Sequence, residues 1–271
     1  MSAPISASPA DATSERVALS GDEVHLLRGG EGPPLLFLHA AGGSGIWLPV
    51  HARLAESFTV YAPDHPGFGG SGEFPAIGDV QDLAFHYVDL IATLGLERPT
   101  VVGTSFGGWV AAELAAYRPE TIGALVLVAP IGLYVDGHPI ADLFIKSPPE
   151  TFAALFKDPQ AAAGLFPAEP DLDFILAMAR DEAAFARFAW APFCHDPRLP
   201  RLLPRITAPT LVLWGEDDAV VPRAHVERYV ELIPDARLEV IPDCGHAASL
   251  ERPDDVASAA GRFVPAASRK E

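Results

Sequence analysis

Cysteine is nearly absent from this chain: only Cys194 and Cys244 occur in 271 residues. They form no Cys-x-x-Cys pair and no Cys/His ligand spacing, which excludes a structural zinc site and favours a reducing compartment. Basic residues are also scarce, 19 Lys and Arg against 36 Asp and Glu, for a formal charge of −17. Nucleic-acid binding needs clustered cations, and docking to anionic lipid needs the same, so neither partner is expected. No apolar run approaches the length that spans a bilayer. The first 16 residues are rich in Ser, Ala and Pro without the apolar centre of a secretion signal, so residues 1–20 read as a disordered leader and the protein as cytoplasmic.

What is present is a soluble globular composition, 49% hydrophobic and 20% charged, on a chain long enough for one large domain. Run 34–39 is continuous and apolar, as a strand buried on both faces requires, and 58–61, 99–103, 124–128, 210–214 and 237–241 read as further strands. Helical spacing appears between them, at 47–55, 79–94, 106–117, 223–232 and 254–263. Such alternation predicts a mostly parallel sheet with helices on both faces. The rhythm breaks over residues 131–205, which carry much Pro, Ala and Phe and helical patterns but no buried-strand run. A connection of that length is an inserted unit, here a helical one. The domain plan is therefore a core of 21–130 and 206–271 with an insertion at 131–205.

The segment Val101-Val102-Gly103-Thr104-Ser105-Phe106-Gly107-Gly108 joins a strand to an alanine-rich helix through a Gly-x-Ser-x-Gly turn. Such a turn projects the serine hydroxyl away from the backbone and aims the N–H groups of the helix start at the same space. Serine attacks only when a base takes its proton and an acid orients that base. In an open parallel sheet those groups belong at the carboxyl ends of strands. After strand 210–214 comes Gly215-Glu216-Asp217-Asp218, and after strand 237–241 comes Pro242-Asp243-Cys244-Gly245-His246. Ser105, Asp218 and His246 are thus the candidate catalytic residues. Glu216 and Asp217 compete for the acid position through adjacency, and Asp136 is a remote alternative. The other eight histidines lack an acid and a strand end together.

These segments, with His39-Ala40-Ala41-Gly42-Gly43 and Asp64-His65-Pro66-Gly67-Phe68-Gly69-Gly70-Ser71, resemble the α/β-hydrolase superfamily over residues 24–264. The resemblance implies an α/β-hydrolase fold in which residues 131–205 are a cap over the serine. It also implies an oxyanion hole from the backbone N–H of Phe106 and, in the early loop, of Ala41. Ala40 stands where the family's usual His-Gly-x-Gly pattern has its first glycine. The 64–71 segment is expected to brace the site without chemistry of its own.

Serine at the turn argues against the dehalogenase and epoxide-hydrolase branches, which attack through a carboxylate. Hydrolysis of a small-molecule carboxylic ester through an acyl-enzyme is the leading reading. The alternative is the carbon–carbon hydrolase branch that cleaves vinylogous diketone ring-fission products, from whose usual pattern Thr104 and Ala247 depart. A non-catalytic ligand-binding protein of the same fold is a third reading, disfavoured because all three catalytic residue types are in place. No cofactor or metal is expected, and the composition is compatible with a monomer or a homodimer. The insertion supplies Phe144, Phe152, Phe156, Phe166, Phe185, Phe188, Trp190 and Phe193. Trp47, Phe144, Phe188 and Trp190 are the candidate pocket residues. Arg180 and Arg187 are expected to pair with nearby acids such as Asp181 or Glu182.

Overall fold

A computed structural model describes residues 12–163, 167 and 169–267. Phe166 and the first 11 residues of the expected leader lie outside them. Eight strands form one sheet in the order β1-β2-β4-β3-β5-β6-β7-β8. They are β1 Ala12–Leu19, β2 Asp22–Gly29, β3 Pro34–Leu38, β4 Thr59–Pro63, β5 Thr100–Thr104, β6 Ala124–Val128, β7 Thr210–Gly215 and β8 Ala236–Ile241. From β4 onward in that order every pairing is parallel, whereas β1 and β2 join antiparallel.

Alternation along the strands divides the core into two layers, because successive side chains leave opposite faces. Leu36, Leu38, Val101, Leu125, Leu127 and Val212 pack on one face. Leu35, Phe37, Val102, Val126, Leu211 and Leu213 pack on the other. Helices α1 (Pro49–Leu54), α2 (Val80–Thr93) and α3 (Phe106–Tyr117) belong to the first half of the core. In α3 every residue from Phe106 to Ala116 is buried, and its alanines and glycines let the helix lie close against β5 and α2.

One part of the expected leader is structured. Residues 12–19 form β1, paired antiparallel with β2 through a two-residue turn at Ser20 and Gly21, whose φ angles are 52° and 89°. Hairpin turns of this length favour positive φ at both positions. As an edge strand, β1 exposes much of its length, so its sequence lacks the apolar run that marked the inner strands.

Between β6 and β7 the described residues contain no strand. Its helices are α4 (Pro148–Leu155), α5 (Pro159–Ala163), α6 (Leu172–Ala189) and α7 (Leu199–Leu202). Asp171 caps α6 by accepting the Phe174 N–H at 2.9 Å. The far end of the insertion belongs to the core, since Leu199 and Leu203 are fully buried against α3. After β7 come α8 (Arg223–Leu232), then β8, α9 (Ala248–Glu251) and α10 (Pro253–Ala267). Among the described residues, no helix is long and apolar enough to cross a membrane.

Candidate active site

The strand order reverses between β3 and β5, the place where open α/β sheets leave a crevice at their carboxyl edge. Leu38 is in register with Gly103 there. The loop after β3, His39 to Ala41, therefore runs beside the turn after β5 that carries Ser105.

Ser105 has φ 51° and ψ −110°, a conformation rare for a side chain larger than glycine's. Backbone bonds hold it: its N–H donates to Val128 O at 2.8 Å, and its carbonyl accepts from Gly108 at 3.0 Å and from Trp109 and Ile131 at 3.2 Å. The two glycines of the motif are sterically required. A Cβ on Gly103 would stand 2.3 Å from Gly107 O, and one on Gly107 would stand 2.2 Å from Leu38 O. The strained turn is thus wedged against its own helix and against β3.

His246 Nε2 lies 2.9 Å from Ser105 Oγ, and its Nδ1 lies 2.9 Å from Asp218 Oδ2. The side chains of His246 and Asp218 are 5% and 0% exposed, so water does not compete for these bonds. The other Asp218 oxygen accepts the N–H groups of Val220 and Val221, both at 2.8 Å. With Nδ1–H committed to the carboxylate, the Nε2 lone pair faces the serine hydroxyl. The acid loop and the histidine loop touch backbone to backbone, where a Cβ on Gly215 would come within 2.3 Å of Gly245 O.

The structure separates the competing acids. Asp217 points outward to Lys157 Nζ at 2.9 Å, and Glu216 is exposed. Asp136 is exposed and accepts from Tyr134 Oη. Other histidines are held elsewhere. His225 donates from Nε2 to His138 O at 2.6 Å, and His25 faces Asp64 at 2.8 Å. His39 Nδ1 donates to Ala40 O at 2.6 Å, while its Nε2 accepts the His65 N–H at 2.9 Å. His65 in turn donates from Nε2 to His39 O at 2.9 Å. Burial pushes both imidazoles below the ordinary histidine range, so they act as neutral braces under the loop that carries Ala41.

The Phe106 N–H opens α3, where a helix has no internal acceptor to offer it. Ala41 is half-buried in the adjoining loop. The 64–71 segment does brace this region: Asp64 accepts from Gly45 N at 2.5 Å and from Gly70 N at 2.8 Å.

The four candidate pocket residues divide. Phe188 is buried and stacks on Phe106 with ring centres 5.8 Å apart. Phe144 stacks on Phe185 at 5.1 Å, and Phe185 meets Phe106 edge-on at 5.3 Å. This aromatic tier brings the insertion against the residue that follows Ser105. Trp47 belongs to the opposite core layer, packed against His51 with Phe37 alongside. Trp190 is 63% exposed at the end of α6, touching Phe144 by one edge.

Arg180 and Arg187 depart from expectation. Arg180 donates to the carbonyls of Gly67 (3.2 Å), Gly69 (2.8 Å) and Ser71 (3.0 Å) and meets Glu73. Arg187 donates to the carbonyls of Glu73, Phe74 and Ile77. Both guanidinium groups, with several donors each, fasten α6 to the 67–77 loop instead of pairing with their helix neighbours.

Comparison with known proteins places this architecture. Residues 35–259 match the model of the alpha/beta hydrolase family. The chain is 31% identical over 268 residues to a 2-hydroxy-6-oxo-6-(2'-aminophenyl)hexa-2,4-dienoic acid hydrolase of Metapseudomonas resinovorans, covering 92% of this chain and 89% of that one. It is 33% identical over 271 residues to a 2-hydroxy-6-oxononadienedioate/2-hydroxy-6-oxononatrienedioate hydrolase of Comamonas testosteroni, covering 87% and 89%. Among solved structures, a membrane phospholipase A described as a bacterial virulence factor superposes with a TM-score of 0.79 at 26% identity, covering 95% and 87%. The fold, the extent of the family match and these relatives agree: the chain belongs to the alpha/beta hydrolase family and is a hydrolase.

Proposed function

We propose that this protein hydrolyses a carbon–carbon bond beside a ketone, in a vinylogous diketone, through an acyl group carried on Ser105. The observation that carries the chemistry is the relay Ser105 Oγ–His246 Nε2 and His246 Nδ1–Asp218 Oδ2, each at 2.9 Å with the two partners of the serine buried. The similarity to hydrolases of hexadienoate and nonadienedioate compounds supports the substrate class.

His246 takes the serine proton as Oγ bonds to the ketone carbon, and the carbonyl oxygen becomes an oxyanion facing the N–H groups of Phe106 and Ala41. The carbon–carbon bond then breaks. Its electron pair enters the conjugated carbonyl system of the leaving fragment as a dienolate, which accepts the proton held by His246. Water attacks the remaining acyl-serine with His246 again taking a proton, releasing a carboxylic acid and free Ser105.

Ester hydrolysis is the second reading, and one observation favours it. Arg180 and Arg187 are both committed to carbonyls of the 67–77 loop, leaving neither guanidinium free for a substrate carboxylate. The two readings share every step except the leaving group, an alkoxide in place of a dienolate.

Turnover of 2-hydroxy-6-oxo-6-phenylhexa-2,4-dienoate, followed by loss of its visible absorbance, is compared with turnover of p-nitrophenyl esters by the same purified protein. The proposal expects kcat/KM for the dienoate to exceed that for the best ester. The reverse ranking replaces it with the ester reading. Activity that survives in Ser105→Ala overturns both.

A further inference from the structure

The loop from Ala40 to Gly45 carries a proposed oxyanion donor, and its glycines have open space around them. A Cβ on Gly42 would meet nothing within 4 Å, and one on Gly43 would meet only the Leu48 side chain. Gly43 and Gly45 have φ of 85° and 66°, where glycine's freedom is used and the loop's own stiffness is low. Its geometry must therefore come from tethers. At one end the His39–His65 pair fixes Ala40. At the other, Gly45 donates to Asp64.

The remaining tether comes from the insertion. Ser44 Oγ lies 2.8 and 2.6 Å from the two oxygens of Asp181, a residue of α6. The same carboxylate accepts the Gly69 N–H at 3.1 Å. Asp181 is 8% exposed, and its neighbour Arg180 is occupied by the carbonyls of Gly67, Gly69 and Ser71. A buried carboxylate on a core-facing helix position thus has its oxygens directed to one hydroxyl and one backbone N–H, both on core loops. Hydrogen bonds to a charged acceptor are among the stronger ones, so this contact favours one conformation of a glycine-rich loop.

We infer that Asp181 is a positioning residue: through Ser44 it sets the loop that presents the Ala41 N–H, so that the oxyanion site is complete only when α6 is docked. This inference rests on the serine-hydrolase reading above. In it the insertion contributes to turnover by aligning a donor as well as by enclosing substrate. A donor displaced from the oxyanion weakens the transition state much more than the bound ground state. The consequence is a loss in kcat with KM nearly unchanged.

The test uses Ser44→Ala, Ser44→Thr and Asp181→Asn in the full-length protein, with each variant's melting curve recorded. Ser44→Ala removes only the hydroxyl on a surface loop, so it keeps the inference falsifiable if Asp181→Asn does not fold. Readouts are kcat and KM on whichever substrate the wild type turns over, and the Kd of phenylboronic acid, which becomes tetrahedral on serine. The expected result is a fall in kcat of about 10-fold or more in Ser44→Ala, by the scale of a lost oxyanion contact. Boronate affinity should weaken in parallel, with KM within about twofold. Ser44→Thr should restore both, and the double variant should be no worse than the poorer single one. Unchanged kcat and boronate affinity in Ser44→Ala would overturn the inference, as would a loss carried by KM alone. A wild type that neither turns over substrate nor binds boronate defeats the serine-hydrolase reading itself, a separate outcome.

Discussion

Gly245 donates its backbone N–H to Glu251 Oε2 at 2.6 Å, one residue before His246. The other Glu251 oxygen accepts the N–H of Lys157, in the insertion, at 2.9 Å. One carboxylate therefore joins the histidine loop to the segment that follows α4. Ala247 reinforces the junction by donating to Leu155 O at 2.9 Å.

Glu251→Gln keeps one acceptor oxygen but turns an amide NH2 toward the second backbone donor, which then loses its partner. An unsatisfied donor of this kind costs about 1–3 kcal/mol. The variant should melt at a lower temperature and turn over roughly 10-fold more slowly as His246 loses its fixed approach to Ser105. Thermal unfolding and kcat on one substrate check this. A variant with unaltered kcat would mean that the histidine loop is held well enough without Glu251.

Ser105→Ala removes the proposed attacking atom without touching the backbone bonds that hold the turn. The fold should persist, and kcat should fall by about four to six powers of ten. A fluorophosphonate probe should label the wild type at Ser105 alone, as read by mass spectrometry of the digested protein.

The two neighbouring acids give a ranking. Asp218 has a fully buried side chain bonded to His246 and to two backbone N–H groups, whereas Asp217 is 42% exposed and pairs with Lys157. Asp218→Asn should cost about three to four powers of ten in kcat by offering His246 Nδ1 the wrong partner. Asp217→Asn should stay within a few-fold, since an exposed ion pair contributes little. Steady-state kinetics of the two variants side by side decide it, and the opposite order would move the acid to Asp217.

How far these relationships were legible in sequence follows from their range along the chain. Strands β3 to β7 announce themselves because burial on both faces forces continuous apolar runs. Ser105, Asp218 and His246 follow from being the right residue types just past such strands. The edge strand β1 has no such run, so only its pairing with β2 reveals it. Trp47 packs in the core layer of Phe37, and sequence does not tell which sheet face its segment covers. Helical spacing likewise does not show that Trp190, at the end of α6, is largely exposed. The Asp181–Ser44 contact spans 137 positions, and no local pattern encodes a bond of that range.

The last prediction concerns a buried acid away from the serine. Glu113, in α3, is fully buried and accepts from Trp109 Nε1 at 2.7 Å, while its Oε2 has no hydrogen-bond partner among the described residues. Burial pushes its carboxyl up to about 8 from an ordinary value of 4.5. Between those values the folded protein keeps a proton that the unfolded chain has released. Unfolded chains then bind fewer protons than folded ones, so stability must fall as pH rises from about 4.5 to 8, by up to about 1.4 kcal/mol per pH unit. Below this window Glu113 is protonated in both states, and above it the full cost of the buried charge is present. Glu113→Gln removes the titration while keeping an acceptor for Trp109. Denaturant unfolding from pH 5 to 8 should therefore show a shallower decline in the variant, with its gain over wild type largest at pH 8. Parallel curves for the two proteins would mean that Glu113 is solvated or finds a partner when ionised, and that the pH dependence of stability arises elsewhere.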